Sequence, residues 1–449
     1  MKQLTCSFLA VLIAHVLACA TSALAGQEAE PETITIRGET YTVVPDAEMQ
    51  ALGFEFADVS REENAAYDYI AAMNAYRPWE GKGARHAIDA VRDGWPDDDR
   101  ELRQYVAANA EALQHVRAGA AKQASHFPFI WCSPDGMPTQ AEMVALVPLR
   151  IPMYAHLREL ARLLSVVGAM HEHDGDLAGA MDAYLTAVTL GVHLSQDTLL
   201  VDWLVAAAIW RIGTGRVLSF AVKHETPEDV LLDAQKRLAT LRALRPGQAA
   251  VIRSEAVFTR AYMAYAFRQD GAPLPEVQRR LLEADKGFWE AFEAVAGLPL
   301  PEYMRPTTAA SRSGHERLQR ALAQLKAAVP NAEWMALADP SGIMDYPRIR
   351  GDEDVSWTIT DVFLALARWK AEHNEYPEKL EDARDLMLSD GIDPFSGEPL
   401  KYRREDDGSF TLWSFGENFK DDGGNETLVH KHWGGPDYVW SSRLESDGE

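Results

Sequence analysis

From Glu62 to about Ala338, apolar residues recur at spacings of three and four, and few stretches alternate with period two. That periodicity predicts a long series of amphipathic helices. Proline and glycine punctuate it at Arg77-Pro78, Gly94-Trp95-Pro96, Arg245-Pro246-Gly247 and Gly297-Leu298-Pro299-Leu300-Pro301. Ahead of the helices, Thr33-Ile34-Thr35-Ile36 and Tyr41-Thr42-Val43-Val44 alternate polar and apolar, joined by Arg37-Gly38-Glu39-Thr40. This predicts a short hairpin and linker over 26–57. Behind them, Ile359, Val362, Phe363, Leu366 and Trp369 make one apolar helix face, which Tyr376-Pro377 terminates. Strands follow at Leu400–Arg403 and Ser409–Ser414 around an Asp406-Asp407-Gly408 turn, and a last one at Asp437–Trp440. The expected fold is mainly α: a helical domain over 58–345, then a C-terminal α+β module over 352–449 with one helix and a small antiparallel sheet.

Within the helical region, Leu164, Val167 and Gly168 share a helix, Gly175-Asp176 makes a turn, and Ala180, Tyr184 and Ala187 follow at spacings of four and three. The segment resembles the helix pair of tetratricopeptide repeats, in which a small-aromatic-small row lets two helices approach closely. Ala65, Tyr69 and Ala72 repeat the second-helix spacing. The pattern covers about one unit of roughly 34 residues, so an irregular helical domain with partly tetratricopeptide-like pairs is expected rather than a regular array.

The first 25 residues read as a secretory signal: Lys2, an apolar run from Phe8 to Ala20 too short to span a bilayer, and Ala23-Leu24-Ala25 as a cleavage site that places the mature start at Gly26. Val16-Leu17-Ala18-Cys19 gives a rival reading as a lipobox, with a lipid anchor at Cys19. Cleavage after Ala25 leaves no membrane-spanning segment expected in the mature chain. It also leaves Cys132 as the sole thiol, so the mature protein is held by its core and not by bridges. Cys132 itself reads as a small buried hydrophobe.

Composition narrows the partners. Of 449 residues, 68 are Asp or Glu and 44 Lys or Arg, a net charge of −24 that becomes −25 when Lys2 leaves with the signal. Such an excess repels phosphates, which argues against nucleic acid and anionic lipid and favours cations and basic proteins. The last 98 residues alone carry 24 acids against 10 bases.

Candidate chemistry in the helical part is sparse. His171-Glu172-His173-Asp174 suggests a metal, but residues two apart on a helix point about 200° from each other, so a polar helix terminus is the simpler reading. Glu255 is expected to be buried and paired with Arg253 or Arg260. Trp203 and Trp210, one heptad apart among aliphatic residues, read as core. His-Glu-x-x-His, Gly-x-Ser-x-Gly and P-loop motifs are absent from the sequence.

The C-terminal motifs are richer. Asn374-Glu375-Tyr376-Pro377, Asp393-Pro394-Phe395-Ser396-Gly397-Glu398-Pro399-Leu400-Lys401-Tyr402, Asp407–Gly416 and Asp421-Asp422-Gly423-Gly424 resemble, in order and spacing, the C-terminal domain of type II secretion major pseudopilins. The resemblance covers about 90 residues and implies calcium binding by the loop before the last strand. The chain departs from that family in its cleavable signal and in the helical region placed ahead of the module. Independently, Asn418, Asp421, Asp422, Asn425 and Glu426 offer hard oxygen ligands, Gly423-Gly424 lets the backbone turn, and Asp437 can close the site, as a calcium shell requires. An ordinary acidic turn has the same composition. His430-Lys431-His432 lacks the third ligand that zinc needs. Asn418, Asp421, Asp422 and Asp437 are the candidate metal ligands. Three functions follow as expectations: an exported, non-enzymatic binding or scaffold protein of the bacterial envelope with a protein partner; an accessory of a type II secretion-like apparatus; or a hydrolase with a site between helices.

Overall fold

The computed structural model describes residues 32–56, 58–79, 83–92, 94–131, 150–269, 275–329, 341–424 and 437–443. The expected signal over residues 1–25, with Cys19, and Cys132, Asn425, Glu426, His430 and His432 lie outside the described residues.

Strands β1 (Thr33–Ile36) and β2 (Glu39–Val43) pair antiparallel, with Ile36 opposite Glu39. The connection is therefore two residues, shorter than the four expected. Arg37 and Gly38 both take positive φ, 55° and 90°, the mirror-image turn that matches strand twist. A third strand, β3 (Ile130–Trp131), adds to β2, with Thr42 opposite Trp131. Helices α1 (Asp46–Ala51), α2 (Ala65–Ala75), α3 (Gly83–Ala90), α4 (Arg100–Ala108) and α5 (Ala110–Ala120) lead into the main body. Asn64 caps α2 by accepting from the Ala66 amide, and its amide group reaches the His126 carbonyl, tying the helix start to the approach to β3.

The body is built around α6 (Ile151–His173), α7 (Leu177–Ser195) and α8 (Leu200–Lys223). By length and composition α7 and α8 could cross a bilayer; here α7 is buried at every position from Ala183 to Ser195, as a helix apolar all round must be in a core. Two glycines set the spacing. A methyl group on Gly168 of α6 would fall inside the Tyr184 ring of α7. One on Gly213 of α8 would stand 2.6 Å from the Tyr184 carbonyl oxygen and 3.0 Å from the Val188 amide nitrogen. The Gly168–Tyr184 contact is thus the physical content of the small-aromatic row seen in the sequence. Gly168→Ala is expected to destabilise the protein by about 1–3 kcal/mol through overpacking, read as a lower urea midpoint at unchanged slope.

Next come α9 (Glu228–Leu244), α10 (Gln248–Gln269), α11 (Pro275–Ala296), α12 (Leu300–Met304), α13 (Ala309–Ala328) and α14 (Ser341–Met344). The last helix, α15 (Tyr346–His373), begins six residues ahead of the expected module boundary at Asp352 and ends on left-handed Asn374. It buries Ile359, Val362, Phe363 and Leu366 as its periodicity requires, and it packs against both α8 and α9. Asp361 accepts from Gln235 of α9 and from the Leu388 and Ser389 amides. One hydrophobic core therefore runs from the N-terminal hairpin through α15 to the C-terminal strands.

Those strands, β4 (Lys401–Arg404), β5 (Phe410–Ser414) and β6 (Tyr438–Ser441), form an antiparallel sheet in chain order, one residue along from the expected ranges at most ends. Lys401 faces Trp413, and Ser414 faces Tyr438. Asp393 fixes the preceding loop to β5: its carboxylate accepts from the Phe395, Ser396 and Phe415 amides and from the Ser414 hydroxyl. The fold is mainly α with a C-terminal α+β module, as expected.

Candidate functional site

Where α8, α15 and β6 meet, they leave a cleft of about 290 Å³ lined by Arg211, Thr214, Gly215 and Leu218, by Asp352 and Ser356, and by Tyr438 and Trp440. Helical spacing puts the four α8 residues on one face, and Asp352 and Ser356 one turn apart on α15. Period two puts Tyr438 and Trp440 on one face of β6. The Tyr438 hydroxyl lies 3.1 Å from Asp352 Oδ1 and 3.2 Å from Glu417 Oε1. Burial, reinforced by the Glu417 charge, pushes Asp352 up to about 7. The Tyr438 hydroxyl, with its single proton, is thus shared between the two carboxyl groups, which it faces at nearly equal distance. Arg348 Nη1 holds Glu417 at 2.6 Å. Arg211, half exposed at the cleft mouth, pairs with the buried Glu353.

The metal candidates lie next door. Asn418, Asp421 and Asp422 bracket a turn between a short 3-10 helix (Gly416–Asn418) and the left-handed Gly423 and Gly424. Asn418 Nδ2 donates to Asp422 Oδ2 at 2.6 Å, and Asp421 Oδ1 accepts from Trp413 Nε1 and the Gly423 amide. Asp437, 2% exposed, accepts from the Gly424 amide through Oδ2, while its Oδ1 is buried without a hydrogen-bond partner. Burial and the charges of Asp421 and Asp422 raise its pKa. The orphaned Oδ1, in the electrostatic reach of Asp421 and Asp422, is the one feature here that suits a hard cation. Against that fit, Asn418 Oδ1 accepts from the Lys420 amide, and among the described residues no three His, Cys, Asp or Glu side chains converge at metal-binding distance. Phe419 is held in a left-handed conformation between Arg305, whose guanidinium stacks on its ring, and Phe395. Arg305 also donates to the Asn418 carbonyl at 2.6 Å, so the loop is tied to the helical body.

A third polar group is architectural. His126 is held between Asp197 (2.5 Å) and Asp46 (3.0 Å) and stacks on Phe56. Burial works against its charge, but Asp197 and the two hydrogen bonds outweigh it and push the imidazole up to about 9. The wholly buried Arg150 bridges Asp197 and Asp202. Thr198 follows in the α7–α8 loop at φ 63°, a costly conformation for a β-branched residue. Its hydroxyl meets that of Ser254 at 2.5 Å.

The remaining sequence candidates resolve as structure. His171 pairs with Asp176, His173 stacks on Trp95, and Glu172 accepts from Tyr184 and His224, so the four-residue run is a helix end woven into its neighbours. Glu255 departs from expectation. Arg253 pairs with Glu293, and Arg260 donates to the Ala256 carbonyl. Glu255 instead takes the Leu200 amide at the start of α8, and burial pushes it up to about 7. The free amides at the start of a long helix are a better partner here than a mobile guanidinium. Trp203 and Trp210 are core, edge to face at 5.8 Å. Sequence reasoning missed Asp352, Tyr438, Glu417 and Arg211. Their convergence depends on docking β6 against α8, which no local pattern reports. The chain matches no family model, no curated protein and no solved structure.

Proposed function

We propose that the protein is an exported, non-enzymatic binding protein of the bacterial envelope whose recognition site is the cleft between α8, α15 and β6. The observation that carries this is the composite lining: the cleft exists only where the helical body meets the C-terminal sheet. Its charged groups are engaged with neighbouring side chains, and it presents no nucleophile with an adjacent base among the described residues, which suits recognition better than turnover. Retention of the tagged full chain on its own envelope fraction tests the reading. Wild type should be held, and Trp440→Ala with Arg211→Ala should be released. Equal retention of both would remove the cleft from the function.

In this reading the module is pseudopilin-like, and Asp421, Asp422 and Asp437, assisted by Asn418, hold calcium. The cation would draw the loop carboxylates toward Asp437 and supply the partner that Asp437 Oδ1 lacks. Calcium bound only to the folded chain at a hundredfold above its dissociation constant adds about 2.7 kcal/mol. Thermal melts of the full chain in calcium and in chelator should differ, and Asp421→Ala/Asp422→Ala should abolish the difference. Identical wild-type melts would reduce the loop to an acidic turn.

A further inference from the structure

We infer that the cleft between α8, α15 and β6 binds the ring of a neutral saccharide, stacked on Trp440 and hydrogen-bonded at its rim; this rests on the reading of that cleft as the recognition site. The walls are amphipathic in the way a sugar ring is. Trp440 offers a partly exposed aromatic face, and Tyr438 stands edge-on to it at 6.5 Å. Leu218 and Gly215 line the α8 side, and a methyl group on Gly215 would meet nothing within 4 Å, so the wall there is flat and open. Around these apolar surfaces sit the Arg211 guanidinium, the Thr214 and Ser356 side chains and the Asp352 carboxyl. A pyranose has an apolar C–H face that packs on an aromatic ring and a rim of hydroxyls that both donate and accept.

Charge separates this ligand from the alternatives. Arg211 is matched by Glu353, and Arg348 behind the cleft is matched by Glu417. An anionic ligand would find Arg211 already paired with Glu353 and the Asp352 carboxyl in the same lining. A cationic one would meet Arg211 first. A neutral ligand with many hydroxyls pays neither penalty and can use both the guanidinium and the carboxyl as partners. The volume of about 290 Å³ lies just below the range of small-molecule sites, about 300–1,000 Å³. It accommodates a terminal ring of a glycan rather than several units.

The test is titration of the full-length protein with cellobiose and with di-N-acetylchitobiose, followed by calorimetry and by tryptophan fluorescence. Saturable binding of at least one disaccharide is expected. Trp440→Ala should weaken it at least tenfold, and Trp440→Phe should restore most of it. The affinity should be the same in low and high salt, because a neutral ligand has no charge to screen. Trp440→Ala leaves the partly exposed ring position empty and is checked for folding by its urea midpoint. If neither disaccharide binds but envelope retention still depends on Trp440 and Arg211, the saccharide assignment is overturned while the cleft remains the recognition site. Saturation by glutarate with strong salt dependence would overturn it in favour of an anionic ligand. Retention indifferent to both residues removes the cleft reading and this inference together.

Discussion

Replacing Arg150 with methionine is expected to cost the folded protein about 3–5 kcal/mol, the penalty for leaving buried carboxylates without their cation. Arg150 is 1% exposed; Nη1 lies 3.0 Å from Asp197 and 2.6 Å from Asp202, Nη2 donates to the Phe127 carbonyl, and the guanidinium lies 4.0 Å over Phe129. Burial opposes ionisation of Asp197, yet Arg150 and His126 hold it below the ordinary carboxylate range. Asp202 is held above that range by burial, against the pull of Arg150. Removing Arg150 raises both. A carboxyl with a raised folded-state pKa binds protons more readily folded than unfolded, so acid favours the folded variant and its stability falls as pH rises. In the wild type, Asp197 with its lowered pKa behaves oppositely: its contribution is present above the unfolded range, near 3.9, and is lost on acidification. Urea-derived stabilities of the two proteins should therefore lie furthest apart at neutral pH and converge as the pH falls through about 4, the ordinary carboxylate range. A gap that stays constant with pH would show that the loss is one of packing and not of charge.

Trp210→Ala should be comparably severe, about 3–5 kcal/mol for a buried tryptophan, and it should loosen both halves of the molecule. The Trp210 ring stands edge-on to Trp203 and Trp357 and lies 5.1 Å from the Arg245 guanidinium, while its N–H donates to Glu353. Arg245 is so desolvated that its pKa falls to about 10, and it leans on both rings and on Asp354. These residues come from α8, the α9–α10 link and α15, so the indole sits where the helical body grips the helix that carries the C-terminal sheet. Hydrogen exchange should report lost protection in α8 and in β5 together. Loss confined to α8 would mean that the module holds its structure independently.

How much of this was legible follows from the range of the signals. Helix and strand patterns act within a few turns, and so the apolar face of α15, the Asp407-Gly408 hairpin and the Gly168–Tyr184 pair could be read directly. The first turns of α15 were not legible because Tyr346–Gly351 carries Pro347, Arg348 and Arg350, which look like a linker until Pro347 is seen in the first turn, where it costs no hydrogen bond. Strand β3 escaped because two residues show no period. The cleft was invisible because its walls are separated by about eighty residues of chain or more. The acidic loop was legible as composition only; which of its oxygens are already occupied by Trp413 and by backbone amides depends on the fold.

Asp437 stands just ahead of β6 and Tyr438 opens it, the first reaching the acidic loop and the second the cleft. Whatever orders that pair at one site has prepaid part of the entropy of ordering it at the other. A cation in the loop and a ligand in the cleft would then strengthen each other by the same factor in both directions, as linkage requires. On the proposed reading, the protein would tighten on its ligand where calcium is plentiful and release it where calcium is withdrawn.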